Sequence, residues 1–294
     1  MSFPYFTETL TLDAAARATL PGEFVQLSAG FTHYELSGPA DAPLVVLVHG
    51  FSVPYFIWQP TFEFLTQSGY RVLRYDLYGR GYSDRPRTCY DLDLFDRQLL
   101  ELIDALELRT PFRLIGLSMG GVIAANFLRR HKECLSKLIL VDPAGFPMPR
   151  TWYFNLILLP GMGELFFVLL GDGMLLKSMA SDFYDPQQIE HFNARYRPQM
   201  RYQGFKRALL STLRAEMLTN QSAVYRAVGQ MDTPVQLIWG KQDTTVPYKF
   251  SADLMQMIPR AVFHTIEDAG HIPHYERPEE VNPLMIEFLQ SCHS

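Results

Sequence analysis

Short apolar runs alternate, along most of the chain, with stretches whose apolar positions recur every three or four residues. Leu44-Val45-Val46-Leu47-Val48, Phe112 to Leu117, Lys137 to Asp142, Val235 to Gly240 and Ala261 to Ile266 are runs of the first kind. A strand apolar on both faces belongs in a sheet covered by helices on both sides. Tyr70 to Asp76 reads as a further strand, and Phe24 to Ser28 pairs with Phe31 to Ser37 as a hairpin around Ala29-Gly30. Between these strands, a helix opens at Pro60 and ends near Gly69. Leu92, Phe95, Leu99, Leu102, Ile103 and Leu106 fall on one helical face behind Asp91. Met119 to His131 is helical too, closed by Arg129, Arg130, His131 and Lys132, where the helix dipole favours positive charge. Pro247 opens another helix and the last begins near Pro278. Pro283 removes a backbone donor and crowds the preceding turn, so the pattern predicts a kink there or a start only at Asn282.

Strands alternating with helices give a doubly wound α/β sheet, mostly parallel, because right-handed crossovers leave little else. From Pro143 to about Asp232 the rhythm breaks into helical patches rich in aromatic residues and methionine. The expected organisation is therefore an α/β core formed by residues 1–142 and 233–294, with a helical cap, 143–232, inserted between its halves. Trp152 to Leu170 is the one membrane candidate, but Pro160-Gly161-Met162-Gly163-Glu164 splits it into halves too short to span a bilayer.

Composition narrows the function classes. The 294 residues are 48% hydrophobic and 19% charged, enough for a sizeable core and too little charge for disorder. A net charge of -5 with no basic stripe gives no footing for nucleic acid. The cysteines, Cys89, Cys134 and Cys292, are odd in number and lack metal-ligand spacing, so free thiols in a reducing compartment are expected. Met1 to Leu10 does not read as a signal peptide, and the expected location is cytoplasmic. No cofactor and no metal is expected; the expected partner is a small-molecule substrate, without stable membrane insertion.

In such sheets ligands bind beyond the carboxyl ends of the strands, and the candidate chemistry gathers there. Gly116-Leu117-Ser118-Met119-Gly120 lies between an apolar strand and a helix, the setting of a nucleophile elbow. A serine hydroxyl needs a base and a group that orients the base. His264 lies within a strand, His131 at a helix end, His293 at the terminus and His49 in a glycine turn, whereas His271 sits in the loop after a strand, with His274 its nearest rival. Asp243, just past Val235 to Gly240, is the candidate orienting acid, and Asp142, at the end of its own strand, competes for that place. The backbone N–H groups of Phe51 and Met119 are candidate oxyanion donors.

His49-Gly50-Phe51, Asp76-Leu77-Tyr78-Gly79-Arg80-Gly81-Tyr82-Ser83-Asp84, the elbow at Ser118, Asp243 and Gly270-His271 together resemble the α/β-hydrolase superfamily, and within it bacterial carboxylesterases and monoacylglycerol-lipase-like hydrolases with a helical cap. The resemblance implies a Ser118-His271-Asp243 triad and ester hydrolysis through an acyl-enzyme. Serine at the elbow departs from the haloalkane dehalogenases and epoxide hydrolases, which carry aspartate there. Leu117 and Ile272 stand where carbon-carbon hydrolases of aromatic degradation usually carry asparagine and tryptophan. That activity and a ligand-binding receptor on the same fold remain the alternatives. The cap offers Met148, Trp152, Phe154, Phe166, Phe167, Met174, Met179, Phe183, Tyr184, Phe192, Tyr196, Met200 and Phe205. Trp152, Phe154, Phe183 and Tyr184 are the expected pocket residues, and most of the others are expected to form the cap's own core.

Overall fold

Neighbouring residues on each apolar strand point to opposite faces, and this builds two cores from one sheet. Val45, Leu47, Ile115, Leu117, Ile139, Val141 and Ile238 enter one apolar cluster, while Val46, Val48, Leu114, Leu138, Leu140, Leu237 and Trp239 enter the other. The computed structural model describes residues 5–148 and 152–291, with the side chain of Tyr153 set aside; Cys292 and His293 lie outside the described residues.

The chain runs α1 (Ala14–Arg17), β1 (Glu23–Leu27), β2 (Gly30–Ser37), β3 (Leu44–Val48), α2 (Gln59–Gln67), β4 (Arg71–Tyr75), α3 (Leu92–Ala105), β5 (Phe112–Leu117), α4 (Met119–Arg130) and β6 (Leu135–Val141). Six helices follow, α5 (Trp152–Leu158), α6 (Met162–Leu169), α7 (Gly171–Ser181), α8 (Ile189–Tyr196), α9 (Phe205–Arg214) and α10 (Ser222–Gly229). The sheet then resumes with β7 (Val235–Gly240), α11 (Phe250–Met257), β8 (Val262–Ile266), α12 (Pro273–Glu276) and α13 (Pro278–Gln290). The eight strands stand in the order β1-β2-β4-β3-β5-β6-β7-β8. β2 pairs antiparallel with both β1 and β4, and every pair from β4 through β8 is parallel. This is the α/β-hydrolase architecture, a mostly parallel sheet flanked by helices.

Three local expectations are corrected. The hairpin turns on Ser28-Ala29 instead of Ala29-Gly30, since Leu27 already faces Gly30 in register. The helix after β7 begins at Phe250 and not at Pro247, because Asp243 accepts the N–H groups of Thr245 and Val246 and ties the preceding residues into a turn. α13 runs from Pro278 to Gln290 and includes Pro283, so it begins before Asn282. Pro283 and Glu279 both lie on its exposed face, away from the core. Among the described residues, no helix is long and apolar enough to cross a membrane.

Candidate active site

Ser118 links the end of β5 to the start of α4 with φ 53° and ψ -117°, a backbone conformation that costs a non-glycine residue energy and persists only where its surroundings enforce it. The enforcement is close packing of main chain. A Cβ built on Gly116 would lie 2.3 Å from the Gly120 carbonyl oxygen, and one built on Gly120 would lie 2.3 Å from that of Val48. The Ser118 N–H donates to Val141 (2.9 Å), and its carbonyl accepts from Gly121 (2.9 Å) and Ala144 (3.0 Å), which pins the turn to the end of β6. Its Oγ lies beside Gly50, where a Cβ would sit 3.9 Å from it.

His271 follows β8 and is 5% exposed. Its Nδ1 lies 2.8 Å from Asp243 Oδ2, and its main-chain N–H donates to the carbonyl of Asp182 (2.8 Å). With Nδ1–H directed at the carboxylate, Nε2 keeps its lone pair. Burial pulls the imidazole's pKa down, but the charge and hydrogen bond of Asp243, helped by Asp182, outweigh it and leave the pKa above the ordinary histidine value. Asp243 Oδ1 accepts the N–H groups of Thr245 (2.8 Å) and Val246 (2.9 Å). Among the described residues the Ser118 hydroxyl makes no hydrogen bond, so the structure joins Asp243 to His271 and leaves Ser118 unjoined to His271.

The two rivals stand apart from these contacts. Asp142 is wholly buried and accepts the Gly240 N–H on Oδ1 (2.9 Å), with no hydrogen bond to His271. One ligand atom each of Asp142, Asp243 and His271 lies within 4.8 Å of the others, a spacing a cation could share. Both oxygens of Asp243 are already engaged by N–H donors, however, and His271 directs Nδ1 at it, so a cation would have to displace that bond. His274 packs at a tilt against Trp58 with ring centroids 4.2 Å apart, and burial, then the charge of His271, lowers its pKa to about 3, so the ring is neutral.

The N–H groups of Met119, within the elbow, and of Phe51, in the loop after β3, find no acceptor among the described residues. The loop carrying Phe51 is held from below. His49 Nε2 accepts the Leu77 N–H (2.9 Å), its Nδ1 donates to the Gly50 carbonyl (2.9 Å), and the fully buried Arg80 donates Nε–H to the Phe51 carbonyl (2.7 Å). Arg80 also donates to Thr212 in α9 (2.8 Å), joining this loop to the helices between β6 and β7.

Residues 45–284 match the model of a family described as "Alpha/beta hydrolase family". The chain belongs to the α/β-hydrolase family. Its relatives include a monoacylglycerol lipase of Xenopus laevis (abhd6-B), 27% identical over 87% of this chain and 78% of that protein, and the AB hydrolase superfamily protein YfhM of Bacillus subtilis, 25% identical over 92% and 98%. Among solved structures, a thermophilic esterase from Thermogutta terrifontis superposes with a TM-score of 0.78 at 25% identity, covering 93% of this chain and all of that one (100%).

In this α/β-hydrolase the four aromatic residues expected to line a pocket differ in burial. Trp152 is 75% exposed and Tyr184 47% exposed, Phe154 is half-buried, and Phe183 packs edge-on against Phe192 and Tyr275. The helical segment reaches the site through other residues. The Ser52 hydroxyl lies 3.9 Å from the sulfur of Met179 in α7, and Asp182, just past α7, accepts the Thr245 hydroxyl (2.6 Å) besides holding His271. Glu276 accepts the N–H groups of Tyr184 and Asp185 on one oxygen and that of Gly270 on the other (2.7, 3.0 and 2.7 Å). Asp182 and Glu276 carry no local motif that marks them, and Arg80 stands out only as part of the stretch Asp76 to Asp84. Most of their partners lie far away in sequence.

Proposed function

We propose that this α/β-hydrolase is a serine hydrolase that cleaves carboxylic esters of apolar acyl or aryl substrates through an acyl-enzyme, with Ser118, His271 and Asp243 as its triad. One observation carries the reading: a buried carboxylate-imidazole pair at 2.8 Å and a strained serine at strand ends of one sheet, with two uncommitted N–H groups beside that serine.

In the reaction, Ser118 Oγ attacks the ester carbonyl and His271 Nε2 takes the hydroxyl proton. Asp243 holds the imidazolium, and the N–H groups of Phe51 and Met119 receive the oxyanion. Collapse expels the alcohol, which takes its proton from His271, and water then repeats the sequence on the acyl-enzyme. The Ser118-His271 hydrogen bond closes when substrate binds, as such bonds often do on leaving the free state. Residues 143–232 serve as a cap over this site, with Met179 supplying an apolar surface next to the oxyanion loop. The relatives named as monoacylglycerol lipases and the esterase neighbour support an ester substrate with an apolar acyl part.

The test is a panel of p-nitrophenyl esters of increasing acyl length, with Ser118→Ala as control. The expected loss in Ser118→Ala is about 10⁴-fold or more, with stoichiometric fluorophosphonate labelling of the native serine. Full activity in Ser118→Ala would overturn the assignment, and labelling without turnover on any ester would make the protein a receptor.

A further inference from the structure

We infer that Asp142 is held as a neutral carboxylic acid whose O–H is directed at Asp243, and that it is a positioning residue for the carboxylate that orients His271. Its kinetic consequence rests on the ester-hydrolase reading above; its placement rests on geometry.

Asp142 and Asp243 leave adjacent parallel strands, β6 and β7, at the same sheet edge, and both are buried, at 0% and 5% exposure. With a carboxylate oxygen from each within 4.8 Å and both groups buried, two negative charges repel each other, which favours a proton on one of them. The hydrogen bonds decide which one. Asp243 accepts from Thr245, Val246 and His271, so the charge is best solvated there. Asp142 accepts only from Gly240, and its Oδ2 is buried without a partner. A proton on Oδ2 turns that orphaned atom into a donor, with the Asp243 carboxylate as its neighbour.

Glu276, on α12, pushes Asp142 in the same direction. Asp182, just past α7, acts on Asp243 and His271 and not on Asp142. Burial first, then the charge of Asp243, holds the Asp142 carboxyl well above the usual carboxylate range. The backbone at Asp142 has φ 40°, a region that aspartate and asparagine tolerate better than most side chains. Asp243 thus receives a fourth hydrogen bond, which fixes its plane and spreads its charge. Without that bond the carboxylate grips an imidazolium more tightly, and His271 is harder to deprotonate.

The experiment compares Asp142→Asn and Asp142→Ala with the native enzyme, reading the pH profile of kcat/KM on p-nitrophenyl butyrate and the carbonyl region of the infrared spectrum at neutral pH. Asparagine keeps a neutral donor, so Asp142→Asn is expected to retain the rate within about threefold and the acid-limb midpoint within about 0.3 pH unit. Asp142→Ala is expected to raise the midpoint by about half a unit and to lower kcat about tenfold. The native-minus-Asn infrared difference should show one protonated carboxyl band lost, a result that holds even if the alanine variant fails to fold. Loss of an ionised carboxylate band instead, a fall of about a unit in the Asp142→Asn midpoint, or an unmoved midpoint in a folded Asp142→Ala would each overturn the inference. Full activity in Ser118→Ala would defeat the hydrolase reading instead, and the infrared result would still decide the state of Asp142.

Discussion

His49 and His271 differ in what their two ring nitrogens touch. His49 accepts the Leu77 N–H on Nε2 and donates from Nδ1 to a carbonyl, so both nitrogens are committed and the ring is locked neutral; burial, outweighing the pull of Asp76, lowers its pKa to about 4. A histidine whose folded pKa lies below its unfolded value of 6.5 stabilises the fold above pH 6.5 and loses that contribution as pH falls towards 4. The loss amounts to roughly 3 kcal/mol. Urea denaturation between pH 7 and 4 should therefore be less steeply pH-dependent in His49→Gln by up to about that amount. His271 gives Nδ1 to Asp243, and Nε2 makes no hydrogen bond among the described residues. The positions of Ser118, Asp243 and His271 were legible because each follows an apolar strand at the sheet edge. The protonation of Asp142 was not, since it arises from a neighbour about a hundred residues away.

At the scale of elements, the strand-turn-helix from β5 to α4 works by the closeness of its backbones. Gly120 lets α4 settle on the carbonyls of Val48 and His49, where a Cβ would lie 2.3 and 2.5 Å from the two oxygens. Gly120→Ala must push α4 away from β3 and with it disturb the loop carrying Phe51. The expected cost is about 3 kcal/mol in a urea titration and more than tenfold in kcat on a p-nitrophenyl ester. The strands could be read from sequence because two-sided burial writes an unbroken apolar run. The helices between β6 and β7 resisted the same reading. α5 and α6 are apolar nearly all round, with Ile157 and Phe167 buried but Leu156, Met162, Leu165 and Leu169 exposed, so periodicity could not say which face turns inward.

For the whole molecule, residues 181–185 join the segment between β6 and β7 to the loops after β7 and β8. Asp182 holds the His271 N–H by its carbonyl and the Thr245 hydroxyl by its carboxylate, and Glu276 spans Tyr184, Asp185 and Gly270. Glu276→Ala releases three N–H groups at once. The expected result is a fall of about tenfold in kcat and a lower melting temperature, checked by steady-state kinetics and calorimetry. Sequence spacing gives no sign of these ties, because they form only once distant segments are folded together. They also limit how the molecule can be re-engineered. A foreign helical segment grafted between β6 and β7 would have to carry its own equivalent of 181–185, or the graft would take away the main-chain anchor of the His271 imidazole.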